Sequence, residues 1–231
     1  MKKIGVMGAF NEEVELIVGA VKGDREEEYA GVLYHHGRRA GKDLVVCCGG
    51  MGKVNAASTA QVLISHFGVD AIIFSGVAGN MSKEIGIGDV VIGKELVHHD
   101  GEDRMFAQSA PFTAVYTAHP LLVDAAQQAC RLTGVRHLVG RIATGDQFVG
   151  DAATKRAIQQ KCHPACVEME GAAVGQVAMR NGVPFVVLRA MSDDAEESIE
   201  TLGAELFDVS EYVKTATAIL LATVDALARM E

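Results

Sequence analysis

Two carboxylates set two residues apart, Glu168 and Glu170, lie among the apolar side chains of Val167, Met169, Ala172 and Ala173. Such neighbours argue for burial, and a buried carboxylate needs hydrogen-bond donors. The hydroxyls of a ribose would serve. Arg189 closes the apolar run Pro184-Phe185-Val186-Val187-Leu188, so a guanidinium arrives at the edge of a buried strand. There it is expected to pair with a carboxylate, for which Glu170 is a reasonable partner. Asp193 follows at the strand end beside these groups. That position would favour a retained proton and hence work as a general acid. Asp194, Glu196 and Glu197 continue the acidic run and read as a solvated loop.

Similar polar or glycine-rich segments follow other apolar runs: Gly8-Ala9-Phe10-Asn11-Glu12-Glu13, Gly76-Val77-Ala78-Gly79 and Thr144-Gly145-Asp146-Gln147-Phe148. In open α/β sheets the carboxyl ends of strands are where ligands bind. Gly76 and Gly79, without side chains, would let the backbone approach a nucleoside closely. Other chemistries fit less well. Gly50-Met51-Gly52 continues as Lys53-Val54-Asn55. It therefore lacks the third glycine of a dinucleotide fingerprint, and Val54 stands where a P-loop needs Ser or Thr. His35-His36 and His98-His99 are adjacent pairs whose side chains diverge, with no metal-binding spacing, so no metal is expected. No motif calls for a cofactor. The five cysteines include no C-x-x-C and are read as buried free thiols.

Short apolar runs alternate with segments of helical period, which predicts an α/β fold with a central sheet and covering helices. Strands are expected at Ile4–Gly8, Asp43–Cys48, Ala71–Ser75, Asp89–Leu96, Leu138–Ala143 and Pro184–Ala190. Helices are expected at Asn11–Ala20, Lys53–Phe67, Pro120–Leu132, Ala152–Lys161, Gly171–Asn181 and Val209–Arg229. Gly68, Gly134 and Gly182 stand where helix C-caps are needed. No repeat or linker divides the 231 residues, so one domain over 1–231 is expected. His98 to Tyr116 reads as a long loop and Arg38-Arg39 as a solvated turn. A net charge of −9 argues against nucleic acid as a partner. No apolar run approaches the roughly 20 residues that span a bilayer. The apolar stretch after Met1-Lys2-Lys3 is read as a first strand rather than a signal peptide, so a cytoplasmic protein is expected.

Taken in order, Gly8-Ala-Phe-Asn-Glu-Glu-Val14, Gly49-Gly-Met-Gly-Lys-Val54, Ser75-Gly-Val-Ala-Gly79, Thr144-Gly-Asp-Gln-Phe148, Val167-Glu-Met-Glu-Gly171 and Arg189-Ala-Met-Ser-Asp193 form a pattern. It resembles that of the bacterial 5′-methylthioadenosine/S-adenosylhomocysteine nucleosidases, within the purine nucleoside phosphorylase superfamily. The resemblance runs from Met1 to about Asp193 and resumes over the last helix. It implies a mixed central sheet flanked by helices, and cleavage of an adenine nucleoside through an oxocarbenium-like transition state with one acid and one base. By motif, Asp193 would protonate adenine, Ser192 would orient it, and Glu13 would activate water. Glu170 would hold the ribose hydroxyls beside Met169 and Arg189. Phe148 would stack on the base and the Val149 backbone would read its edge, while Ala78, Gly79 and Met51 are further substrate-binding candidates. The resemblance also implies a homodimer, with Phe106 reaching the neighbouring subunit's pocket, and a place in methionine salvage.

Three features depart from the family pattern. Val77 stands where many members have Ser. The region after Asp193 is longer, which leaves open whether Phe207 or Val209 closes the pocket. The surroundings of Phe106 lack the expected aromatic-glycine pattern. Rival readings are a hydrolase of another 5′-modified adenosine such as 6-amino-6-deoxyfutalosine, a nucleoside phosphorylase, and a nucleoside-binding protein without turnover. A phosphorylase needs cations to hold phosphate, whereas the first strand here leads into Asn11-Glu12-Glu13; the non-enzymatic reading sits poorly with both Glu13 and Asp193 present.

Overall fold

The structure is a computed structural model and describes residues 1–196 and 210–230. Its strands are β1 (Lys3–Gly8), β2 (Lys22–Tyr29), β3 (Val32–Arg39), β4 (Lys42–Cys48), β5 (Ala71–Asn80), β6 (Val90–His98), β7 (Tyr116–Thr117), β8 (His137–Thr144), β9 (Cys166–Glu168) and β10 (Phe185–Asp193). Its helices are α1 (Asn11–Ala20), α2 (Lys53–Ser65), α3 (Asp103–Phe106), α4 (Pro120–Thr133), α5 (Ala152–Cys162), α6 (Gly171–Arg180) and α7 (Ser210–Met230).

The strands form one mixed sheet in the order β10-β6-β8-β9-β5-β1-β4-β3-β2, with β7 beside β6. A further pairing of β10 with β5 closes β5, β10, β6, β8 and β9 into a ring. β10 runs parallel to β5 but antiparallel to β6, and β9 is antiparallel to β5. The sequence suggested polar segments gathered along one edge of an open sheet. Closure brings them together instead, because strands of opposite direction curl around a common interior.

All six expected strands and all six expected helices are present, each within a few residues of its expected ends. Strands β1, β5 and β10 are buried almost throughout, which explains their unbroken apolar runs. On α4 the buried Leu122, Val123, Ala125, Ala126, Ala129 and Cys130 recur at helical spacing. Gly68, Gly134 and Gly182 all take the positive φ of a C-terminal cap. α7 packs on α1, α4, β5 and β10, while α2 packs on α6.

Strands β2 and β3, which with the expected β4 form a meander, escaped sequence reading. β2 is Lys-Gly-Asp-Arg-Glu-Glu-Glu-Tyr, a polar strand at the sheet edge without an apolar face. Its turns, Ala30-Gly31 and Ala40-Gly41, have positive φ at both residues. That is the hairpin geometry usually written with Asn or Asp before Gly, so alanine hides it. Arg38 and Arg39 belong to β3 rather than to a solvated turn. Arg39 makes a two-pronged ion pair with Asp225 of α7, at 2.9 and 2.7 Å, which ties the meander to the last helix. The 98–116 stretch contains α3 and ends at β7 but is otherwise irregular. Four cysteines are buried and Cys48 is half-buried, all as free thiols. No described helix is long and apolar enough to cross a membrane.

Candidate active site

Glu13 is the third residue of α1, and its side chain folds back over the helix start. Oε2 accepts from the Ala9 N–H at 2.5 Å and the Phe10 N–H at 3.4 Å, and Oε1 accepts from the Val77 N–H at 3.2 Å. Free N–H groups and the positive end of the helix dipole favour a carboxylate there. Glu12 and Glu15 point to solvent, whereas Glu13 is only 3% exposed. Burial raises its pKa, opposed by the Arg189 charge and by the three N–H groups.

Arg189, 1% exposed, is the centre of a buried ionic group. In register it lies opposite Gly76 of β5. A methyl group on Gly76 would overlap both the Arg189 guanidinium and the Glu13 carboxylate, so the absence of a side chain is what lets them meet. Arg189 donates to Glu168 in a short contact and to Glu170 at 3.3 Å, and its guanidinium stacks 4.2 Å from the Phe74 ring centre. Glu168 is therefore the nearer partner, where the sequence had pointed to Glu170. Burial works against the Arg189 charge, but Glu168, Glu170 and Glu13 outweigh it and its pKa is raised.

Glu168 is fully committed to structure. It accepts from the Glu170 and Gly171 N–H groups at 3.1 and 2.7 Å, capping α6, and from the Thr144 hydroxyl in a short contact. Thr144 in turn accepts from the Ala172 N–H at 2.8 Å. This role had no spacing signature in the sequence, because it depends on β8 lying beside β9. Glu170 is left with one N–H donor, that of Gly52 at 2.8 Å, and the more distant Arg189. Burial, with the neighbouring Glu168 and Glu13 charges adding to it and Arg189 and the Gly52 N–H opposing, pushes its pKa up to about 7.

Asp193 ends β10 at a bulge, where pairing with β5 slips between Met191 and Asp193. A bulge breaks strand alternation and re-aims side chains. Consecutive residues Ser192 and Asp193 can thus both line one pocket. The Asp193 carboxyl lies 2.8 Å from the Ser192 hydroxyl on one oxygen and accepts the Ala195 N–H at 2.8 Å on the other. The Ser192 hydroxyl also reaches the Ala78 carbonyl at 3.4 Å. With a single O–H, the hydroxyl can donate to only one of these two oxygens at a time. Asp194 and Glu196 are exposed, as expected, although Glu196 pairs with Lys155 at 3.1 Å. Glu197 lies outside the described residues.

These groups enclose a pocket of about 230 Å³. Of the residues expected in the site, Glu13, Met51, Ala78, Gly79, Phe148, Val149, Met169, Glu170, Arg189, Ser192 and Asp193 all line it. Phe10, Val77, Gln147 and Glu168 join them. Phe106 lies elsewhere, its ring 4.6 Å from His98. Phe207 and Val209 lie outside the described residues. The walls are mostly apolar, four acids face one another, and among the described residues the sole cation lining the pocket is Arg189, already bound by carboxylates. Met51 and Phe148 stand at the solvent side, 62% and 41% exposed. Such a chamber suits a largely apolar ligand with hydroxyls for Glu170 and a basic atom for Asp193. Among the described residues it offers no free positive charge to an anion.

Comparison with known proteins places the chain in a family. The phosphorylase superfamily profile matches residues 3–225. A protein of Geobacillus kaustophilus named 5′-methylthioadenosine/S-adenosylhomocysteine nucleosidase is 39% identical over 201 residues, covering 84% of this chain and 86% of its own. A crystal structure of the nucleosidase of that name from Neisseria meningitidis, in complex with methylthio-immucillin-A, superposes with a TM-score of 0.90 at 31% identity, over 97% of this chain and 99% of the other. The futalosine hydrolase of Helicobacter pylori superposes with a TM-score of 0.87 at 31% identity, over 97% of both chains.

Two outcomes test the buried ionic group. Glu168→Ala strands the Arg189 charge and should cost about 3–5 kcal/mol in denaturant unfolding, whereas Glu168→Gln, which keeps an acceptor and the shape, should cost clearly less. Separately, the fold holds protons on Glu13 and Glu170 above the ordinary glutamate value of 4.5, for Glu170 up to about 7. The folded protein thus binds these protons more tightly than the unfolded chain, and their contribution to stability is full below about pH 4.5 and fades as pH rises through about 7. Thermal melts of the Glu170→Gln variant should show a weaker decline over that interval than the parent.

Proposed function

The chain belongs to the 5′-methylthioadenosine/S-adenosylhomocysteine nucleosidases of the phosphorylase superfamily, and on that footing we propose that it hydrolyses the N-glycosidic bond of those two nucleosides. The observation that carries the reading is one apolar pocket holding an acid at a strand end, Asp193, and a second carboxylate at a helix start, Glu13, with no free cation among the described residues that line it.

Adenine leaves poorly as an anion. Protonated Asp193 delivers its proton to N7 as the C1′–N9 bond breaks and its electron pair passes to the base. Positive charge then develops on C1′ and the ring oxygen, as in other glycoside cleavages. Glu13 takes a proton from water as the water oxygen bonds to C1′, giving free adenine and the 5-thioribose product. Burial raises the proton affinity of Glu13, which suits a base, and its N–H contacts hold it in place. Glu170 accepts the ribose hydroxyls beside Met169. Phe148 stacks on adenine, the Val149 backbone reads its edge, and Ser192 orients the acid. The Ala78–Gly79 backbone and Met51 complete the enclosure. Phosphate as nucleophile is disfavoured because Arg189, the cation at hand, is bound by Glu168 and Glu170.

The same reading takes the chain as one nucleosidase domain, cytoplasmic, homodimeric and serving methionine salvage. The exposed apolar side chains of Met51, Val54, Met105 and Phe112 support a second subunit. A second substrate reading keeps the chemistry and changes the 5′ group: the open rim at Met51 and Phe148 and the likeness to a futalosine hydrolase favour testing 6-amino-6-deoxyfutalosine.

Asp193→Asn should bind nucleoside yet lower kcat by about 10²–10⁴-fold, and Glu13→Gln should likewise fail in turnover, both read as adenine released without phosphate. Near-parental turnover in either variant would remove that residue's role. Rates on 5′-methylthioadenosine, S-adenosylhomocysteine and 6-amino-6-deoxyfutalosine should rank the first two above the third; the reverse order selects the second reading.

A further inference from the structure

The turn that follows Asp193 is held in a conformation its sequence does not favour. Ala195 has φ +53°, the left-handed region that an L-residue with a side chain enters at a cost. Its N–H is one of the two groups bonded to the Asp193 carboxyl, so the aim of that carboxyl depends on the turn. Such a conformation persists only where the surroundings over-determine it.

Two features do so. The Ala195 side chain is fully buried in a small apolar cluster with Val149, Val167, Ile158 and Cys162. From α5, Lys155 reaches across to the same turn: its Nζ donates to the Asp194 carbonyl at 2.6 Å and pairs with the Glu196 carboxylate at 3.1 Å. The side chain is sheltered, at 21% exposure, and leaves from the first turn of a helix whose start is fixed by Asp151, which accepts the Ala153 and Thr154 N–H groups at 2.9 Å. That helix begins just after Phe148 and Val149. One rigid element therefore anchors the segment facing the base and also grips the backbone beside the acid.

We propose that Lys155 is a positioning residue for the general acid: by holding the Asp194 carbonyl and the Glu196 carboxylate it fixes the turn that aims Asp193 at the departing base. The proposal rests on the assignment of Asp193 as that acid, and leaving-group chemistry separates the two. Adenine needs a proton to leave, whereas 4-nitrophenolate departs as an anion, carrying the electron pair of the C1′–O bond without one. An error in aiming the acid should therefore slow the first substrate and spare the second.

The test measures kcat and KM of the full chain on 5′-methylthioadenosine and on 4-nitrophenyl 5-methylthio-β-ribofuranoside. Lys155→Met should lower kcat on the nucleoside roughly 10- to 100-fold, with KM within about twofold and kcat on the nitrophenyl riboside unchanged. Lys155→Gln, a shorter neutral donor, should show the same selectivity in milder form and serves if the Met variant does not fold. Asp193→Asn is the reference: equal loss on both substrates would overturn the acid assignment itself. Selective loss in Asp193→Asn, with equal or no loss on the two substrates in the Lys155 variants, would overturn the role of Lys155.

Discussion

A guanidinium with 1% of its surface exposed must be neutralised where it sits, and much of the site follows from meeting that demand at Arg189. Moving such a charge out of water costs several kcal/mol unless it is paired and hydrogen-bonded. Glu168 supplies the close pair and is itself fixed by Thr144 and by the start of α6. Glu170 and Glu13 then sit within the same field at longer range. The arrangement divides the carboxylates into one that is used up by the fold and others that keep spare acceptor capacity for a ligand. The division is made by distance and donor count, since all three are glutamates.

Closure of the sheet is what allows so many polar groups to converge inside apolar walls. Glu13 comes from β1–α1, Arg189 and Asp193 from β10, Thr144 from β8, and Glu168 from β9. In an open sheet the antiparallel members would deliver their carboxyl ends to opposite sides. The β10–β5 pairing curls the sheet so that they meet. The Asp193 bulge falls beyond the last residue of β10 that pairs with β6, where only β5 remains as a partner.

Legibility in the sequence followed burial. Strands buried on both faces wrote themselves as apolar runs, and helices as period-3.6 patterns with glycine at the ends, so β1, β5, β10, α1 and α4 were readable. The edge strand β2 buries little and carries three consecutive glutamates, and it was not. At the site, residue types at strand ends were enough to single out Asp193, Glu170 and Arg189, whereas Glu13 was picked from its acidic segment, and the roles were supplied, only through the family resemblance. The exclusive use of Glu168 by the fold could not be read, because Thr144 and Arg189 reach it only through sheet pairing. Nor could the reach of Lys155 to the backbone after Asp193, a contact across 39 residues of sequence.

The glycines beside the acids also decide how such a pocket can change. Gly8 lies against Glu13, Gly76 against Glu13 and Arg189, and Gly79 against Asp193 and Ala195, with no room for even a methyl group at any of the three. A side chain added at any of these three glycines would therefore have to displace a neighbouring group, a charged one at Gly76. On the solvent side, Met51 and Phe148 are more than 40% exposed and meet no such crowding. Variation is thus channelled: the three glycines beside the buried carboxylates resist substitution, while the exposed rim of the pocket can be redrawn one residue at a time.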